Sequence, residues 1–198
     1  MVIALLAFST GKGQETGVMQ VPASNLDVFR SLANRIAMSA IRGLGIQRPV
    51  AIRILPAESA WYIDSGIQSA FTEQQWSLTM PDSAEVIAEF GIRGGHTRYE
   101  NIRRDGFLGE KIADRVVQFN MSLRFVDERT GTNLILSDFT ESARDTIPVS
   151  SIESVENPSI PMTKGYRESE GVFSTLVEPV VLLGAIGVAV FLLFHVRS

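Results

Sequence analysis

The chain contains no cysteine. That excludes disulfide bonds, thiolate metal ligands, a cysteine nucleophile and a lipid carried on an amino-terminal cysteine, and it leaves the redox compartment open. Histidine is almost as scarce, with two in 198 residues. One, His195, stands at the far end of an apolar run. The other, His96, sits in GIRGGHTRYE, where paired glycines evoke a phosphate loop. No Lys-Ser/Thr follows them, no helix is expected behind them, and GxGxxG is missing, so Gly94 and Gly95 read as a strand bulge or bend. Charge of one sign is lacking too. The net charge is −4 with 20% charged residues, which argues against nucleic acid as a partner. The nearest thing to a basic patch is Arg93, Arg98, Arg103 and Arg104 around Tyr99, interrupted by Glu100 and Asp105. Of this group Arg98, Tyr99, Arg103 and Arg104 are the candidate contacts for a protein partner. Asp127, Glu128 and Asp138 near one hairpin read as a solvated turn, short of the converging ligands a metal needs. No nucleophile, base and orienting group can be assembled. The expectation is a non-enzymatic binding protein with no cofactor and no metal; the alternative is a ligand-binding enzyme using His96.

What the chain does have is a stretch without charge, EPVVLLGAIGVAVFLLFHVRS. The uncharged core from Pro179 to Phe194 rises about 24 Å as a helix, and counting from Leu176 to Val196 reaches the roughly 30 Å hydrocarbon thickness. Eleven residues between Val180 and Phe194 are Val, Leu, Ile or Phe, together worth about −3 to −6 kcal/mol of insertion. Pro179 suits a first helical turn. The expected membrane anchor spans 171–198, with Pro179, Val180, Leu182, Leu183, Ile186, Val190, Phe191, Leu193 and Phe194 facing lipid. Gly184, Ala185, Val188 and Ala189 offer a face small enough for helix pairing, one route to a homo-oligomer.

At the other end, Val2 to Phe8 is a short apolar run, with Ala7 and Ser9 at signal-peptidase spacing. No Lys or Arg precedes it. Residues 1–19 therefore read either as the remnant of a signal peptide or as an edge strand. The first places the domain in the periplasm on a single-pass inner-membrane anchor; the alternative is a tail-anchored protein facing the cytosol. Glu-Pro ahead of the apolar run and a terminal Arg also resemble a sorting signal that is cut away.

The body, 20–145, is patterned. Ser24 caps a helix over Asn25–Leu44 with Leu26, Phe29, Leu32, Ala33, Ile36, Ala37, Ala40 and Leu44 on one face, followed by glycine. PVAIRILP is a strand. ESAWYIDSGIQSAFTEQQW is a second helix with Ile63, Ile67, Ala70 and Phe71 inward. WSLTM is a short strand stopped by Pro81, and AEVIAEF is either a short helix or the start of the next strand, which runs about Ala88 to Arg103. From Arg115 to Asp127 the period is two, with Val117, Phe119, Met121, Leu123 and Phe125 on the buried side and Gln118, Asn120, Ser122 and Arg124 on the wet one. DERTG turns the chain, Gly131 supplying positive φ, and NLILSDFTESARD returns antiparallel. The fold class expected is an α/β (α+β-like) sandwich: a β-α-β start, a three-stranded antiparallel meander and a C-terminal transmembrane helix. Residues 146–170, rich in Ser, Pro and Glu without periodicity, read as a linker, or in their first half as a loop packed back along the sheet.

The order of these pieces, with AWYIDSGIQSAF, AEVIAEFGI and RFVDERTGTNLILSD in succession, resembles a superfamily of bacterial envelope domains. It includes the curli-secretion pore lipoprotein, the lipoprotein activators of penicillin-binding proteins and the amino-terminal domain of TolB. The likeness covers about Asn25 to Asp145. Those lipoproteins carry a lipidated cysteine that this chain lacks, and the anchor here lies at the opposite end. The resemblance implies an envelope α/β domain that binds a protein partner in envelope assembly, secretion or cell-wall control, without catalytic residues.

Overall fold

A computed structural model describes residues 21–44, 48–106, 109–167 and 183–193. The first helix, α1 (Asn25–Leu44), has the bounds its pattern predicts. The Asp27 amide donates to Ser24 Oγ at 3.1 Å, and Ser24 Oγ donates back to the Asp27 carboxylate at 2.7 Å. This closes the cap, and the Ser24 bond, ahead of Arg30, lowers the Asp27 pKa. Phe29, Leu32, Ala33, Ile36, Ala37, Ala40 and Ile41 are buried; each large side chain contributes about 1.5–3 kcal/mol of transfer free energy.

Strand β1 (Val50–Leu55) pairs parallel with β2 (Val86–Arg104), and α2 (Asp64–Glu73) with a 3₁₀ turn at Ala57–Tyr62 makes the crossover. β2 pairs antiparallel with β3 (Lys111–Asp127), and β3 with β4 (Asn133–Pro148). The order is β1-β2-β3-β4, the expected β-α-β start and meander. AEVIAEF resolves as strand. The register shift between Ile92 and Gly94 is a bulge at the glycines. WSLTM does not form the strand predicted for it: a single bridge joins Leu78 to Val50, and Pro81–Ser83 turns as 3₁₀. The second helix is shorter than predicted, because the chain enters it through the 3₁₀ turn and leaves at Gln75 with φ 58°.

One face of the sheet carries both helices. Phe29 meets Phe119 edge-on at 5.6 Å, and Phe71 stacks on Phe125 at 6.3 Å. The linker expected over 146–170 is corrected as far as Arg167. β4 continues to Pro148, and 149–167 folds back as a strap over the same face: α3 (Ile152–Val155), a 3₁₀ turn at Pro161–Thr163, and β5 (Gly165–Arg167), which pairs parallel with β2 at Thr97–Tyr99. Ile152, Val155 and Ile160 are its buried contacts. Three isolated apolar anchors leave no period to detect, which is why the segment reads as a linker.

A polar bolt fastens the strap. Arg115 is fully buried. Its guanidinium donates to both Asp145 carboxylate oxygens, to the Ala23 carbonyl (2.7 Å) and to Asn25 Oδ1 (2.8 Å). Asn25 Nδ2 in turn donates to Tyr99 Oη and the Thr163 carbonyl, both at 2.7 Å. Glu156 accepts from the Gly165 amide at 2.8 Å. Burial foremost, with Glu156 nearby, pushes the Tyr99 hydroxyl up to about 12. Gly165 lies so close to the Tyr99 ring that a Cβ there would sit 2.1 Å from Cε2.

Of the stretch expected to be a transmembrane helix, 183–193 is helical and exposed on every side. Eleven residues rise about 16 Å, roughly half a hydrocarbon core. Among the described residues no helix is long and apolar enough to cross a membrane. The remainder of the expected anchor, including Pro179, Val180, Leu182 and Phe194, lies outside the described residues, as do residues 1–19.

Two outcomes test the bolt. Arg115→Met leaves Asn25 Oδ1, the Ala23 carbonyl and Asp145 without their donor and is expected to cost about 3 kcal/mol in urea unfolding. Gly165→Ala is expected to strip hydrogen-exchange protection from the strap amides while those of β3 stay protected.

Candidate interaction surface

Strand alternation sends every second side chain of β1–β4 to the face opposite the helices. No described element packs there. β3 contributes Asp114, Val116, Gln118, Asn120, Ser122 and Arg124; the paired register brings Glu89, Gly91, His96, Arg98 and Glu100 from β2 and Leu136, Asp138, Thr140 and Arg144 from β4 to the same side. Near β1 a shallow groove of about 560 Å³ runs over Gly91 and Ser122 between Leu55 and Leu136.

Among the described residues, most charges on this face are paired, in three groups. Glu89 accepts from Arg53 at 2.7 Å and lies 3.4 Å from Arg124. Arg93 stands 3.9 Å from Asp138. Arg144 contacts Glu100 at 3.0 Å and Asp114 at 3.3 Å, while Arg103 holds Asp114 at 2.9 Å. Asn101 and Thr146 also donate to Asp114. The Arg103 bond, with Asn101 and Thr146 adding to it against some desolvation, lowers Asp114 to about 2.

The four predicted partner contacts separate. Arg98 is exposed on this face, opposite Val116 and without a described ion pair. Arg103 is exposed but committed to Asp114 and the Asn101 carbonyl. Arg104 is exposed at the strand end and reaches toward the Gly109 carbonyl at 3.4 Å. Tyr99 is a correction: it is fully buried on the opposite face, its hydroxyl bonded to Asn25. Adjacent strand residues point to opposite sides, so Arg98 and Tyr99 cannot share a surface. The alternation missed as a signal here also marks Asp114 and Arg144 as outward, and Arg115 as inward.

One of the hairpin acids has structural work. Asp127, expected in a solvated turn, is mostly buried. It accepts from Arg48 at 2.7 Å and from the Thr130 amide at 2.9 Å, and the turn closes through Gly131, φ 68°. Arg48 first, then Thr130, lowers Asp127 to about 2. His96 is exposed on the sheet, opposite Gln118. Among the described residues no group of three or more His, Asp or Glu is placed to hold a metal.

No protein-family model and no curated protein matches the chain. Solved structures similar to it include a minor lipoprotein from Acinetobacter baumannii, with 8% identity and TM-score 0.34 over 52% of this chain and 68% of that one. A lipoprotein from Neisseria meningitidis gives 13% identity and TM-score 0.31 over 70% and 98%. A neuraminyllactose-binding hemagglutinin homolog from Helicobacter pylori gives 14% and 0.28 over 52% and 70%. At these values no residue role passes from one chain to the other.

Asp114 and Asp127 set the acid limb of stability. Each has a folded pKa below its ordinary 3.8, so its stabilisation is complete above about pH 4 and is lost as pH falls toward about 2. Unfolding midpoints are expected to drop across that window, and to drop less steeply in the Asp114→Asn, Asp127→Asn double variant. Arg98→Glu, touching no acid, is expected to change stability by no more than about 0.5 kcal/mol.

Proposed function

We propose that this chain is a non-enzymatic protein of the bacterial envelope, fixed to the inner membrane by a single pass and binding a protein partner through the bare face of its periplasmic α/β domain. The observation that carries the membrane part is the helical segment 183–193. It has no charged residue, and Leu183, Ile186, Val188, Phe191 and Leu193 are each more than half exposed. A helix apolar on all sides has no stable place in water. The uncharged residues flanking it extend the same chemistry to membrane-spanning length.

The binding part rests on the asymmetry of the sheet. One side is covered by α1, α2 and the strap, whereas the other presents paired charges around a groove with Arg98 left over. Such a surface is kept soluble by its charges yet offers backbone-rigid positions for recognition. The resemblance to envelope domains supports the compartment.

Alkaline carbonate washing is expected to leave the full-length protein in the membrane pellet, and Ile186→Lys with Val190→Lys to release it. Protease added to intact spheroplasts is expected to remove the domain. Release of the unaltered protein by carbonate overturns the anchor, and survival of the domain in spheroplasts overturns the periplasmic orientation.

A further inference from the structure

β4 is an edge strand of sixteen residues, paired on one side with β3 and on the other with no described strand. Long open edges are templates for further pairing, and proteins normally shorten, cover or bulge them. Among the described residues, Arg35 of α1 covers it at Ser142, donating from Nη2 to that carbonyl at 2.7 Å. That contact also shows which way the backbone faces. If the Ser142 carbonyl points outward, alternation turns the N–H and C=O groups of Leu136, Asp138, Thr140, Arg144 and Thr146 to the open side, and those of the odd residues to β3.

We propose that this edge pairs antiparallel with the same edge of a second copy of the chain, about a two-fold axis at Glu141. Two-fold pairing that keeps the covered faces on one side allows only registers in which like parities oppose. With Glu141 opposite Glu141, Asp138 of each copy stands opposite Arg144 of the other, Thr140 opposite Ser142 and Ile135 opposite Ile147. Sliding by two residues either way sets Arg144 against Leu136 or against Thr140. Sliding by four sets Glu141 against Asp145 or Arg144 against Leu134. One register matches opposite charges, and it does so twice. Asp138 is 82% exposed, and its described ion pair is a long one to Arg93; Arg144 is 56% exposed and reaches across by turning from Glu100 and Asp114. The facing pair of Glu141 carboxylates is offset by Arg35 from each copy, which lies 3.4 Å from its own Glu141. The product is one continuous sheet, ordered β1-β2-β3-β4-β4-β3-β2-β1, with both α1 helices on the same face.

The absence of cysteine makes the test clean. Glu141 falls at a non-hydrogen-bonded position on the axis, where opposite Cα atoms stand about 4.5 Å apart, within disulfide reach. Full-length Glu141→Cys protein in detergent, mildly oxidised, is expected to run as a disulfide-linked dimer on a non-reducing gel. Ser137→Cys, far from its own copy in this register, is expected to stay monomeric. In the cysteine-free chain, Asp138→Arg is expected to weaken self-association about tenfold by facing Arg against Arg, and adding Arg144→Asp to restore it. Circular dichroism checks the fold of each variant. A folded Glu141→Cys chain that stays monomeric, equal cross-linking of both cysteine variants, or a double variant no better than Asp138→Arg alone overturns the pairing.

Discussion

A guanidinium with no access to water must find a partner for each of its nitrogens or lose several kcal/mol. Arg115 meets that demand by gathering three parts of the chain that are far apart in sequence. These are the cap of α1 through Ala23 and Asn25, the middle strand on which it sits, and the edge strand through Asp145. Asn25 passes the connection to Tyr99 and to the strap. The apolar core between α1, α2 and the sheet is non-directional and would tolerate small shifts. The buried hydrogen bonds would not, because each shift strands a polar atom, and among the described residues no buried side-chain nitrogen or oxygen is left without a partner. The smaller cluster of Tyr99, Ala113, Ile147, Ile152 and Val155 is thereby tied to the larger one.

The two faces of the sheet follow opposite rules. Inward, alternation delivers Val117, Phe119, Met121, Leu123 and Phe125 to the helices, and the ring contacts among Phe71, Phe90 and Phe125 hold them in register. Outward, the same strands carry carboxylates and guanidiniums in cross-strand pairs. Where both partners are exposed, as in Arg93 with Asp138, such a pair adds little stability, whereas the largely covered Asp114 contributes through its several donors. The pairs also matter for which register a neighbouring surface can adopt, since like charges opposed across a contact are penalised.

Much of the body is legible in the sequence. The cap at Ser24, the helical spacing from Phe29 to Ala40, the period-two run of β3 and the Gly131 turn are local signals; the bounds of α1 and the end of β3 agree with the structure, while β3 begins at Lys111, ahead of the expected Arg115. Elements whose placement depends on distant partners were not legible. The strap has three apolar anchors at irregular spacing and is held by Asn25, 138 residues from Thr163; nothing within 149–167 announces that. At the surface, grouping Arg98, Tyr99, Arg103 and Arg104 by nearness in sequence ignored a rule the strand itself supplies. Applied to β2, alternation separates Tyr99 from Arg98. Applied to β3, it places Arg115 among the apolar side chains, where a buried cation calls for a carboxylate such as Asp145.

The position of β5 has a mechanical consequence. It is three residues long, and it is the last described element of the body before the apolar helical segment. Tension applied along the chain from beyond Arg167 therefore enters through a short parallel strand and meets the Gly165 contact with Tyr99 next. Its few backbone bonds to β2 are the weakest link in that line, and the Arg115 junction stands behind them as a stop. Under a steady pull the strap would peel while the four-stranded sheet kept its shape, giving the molecule an extensible segment that recoils when the force is removed.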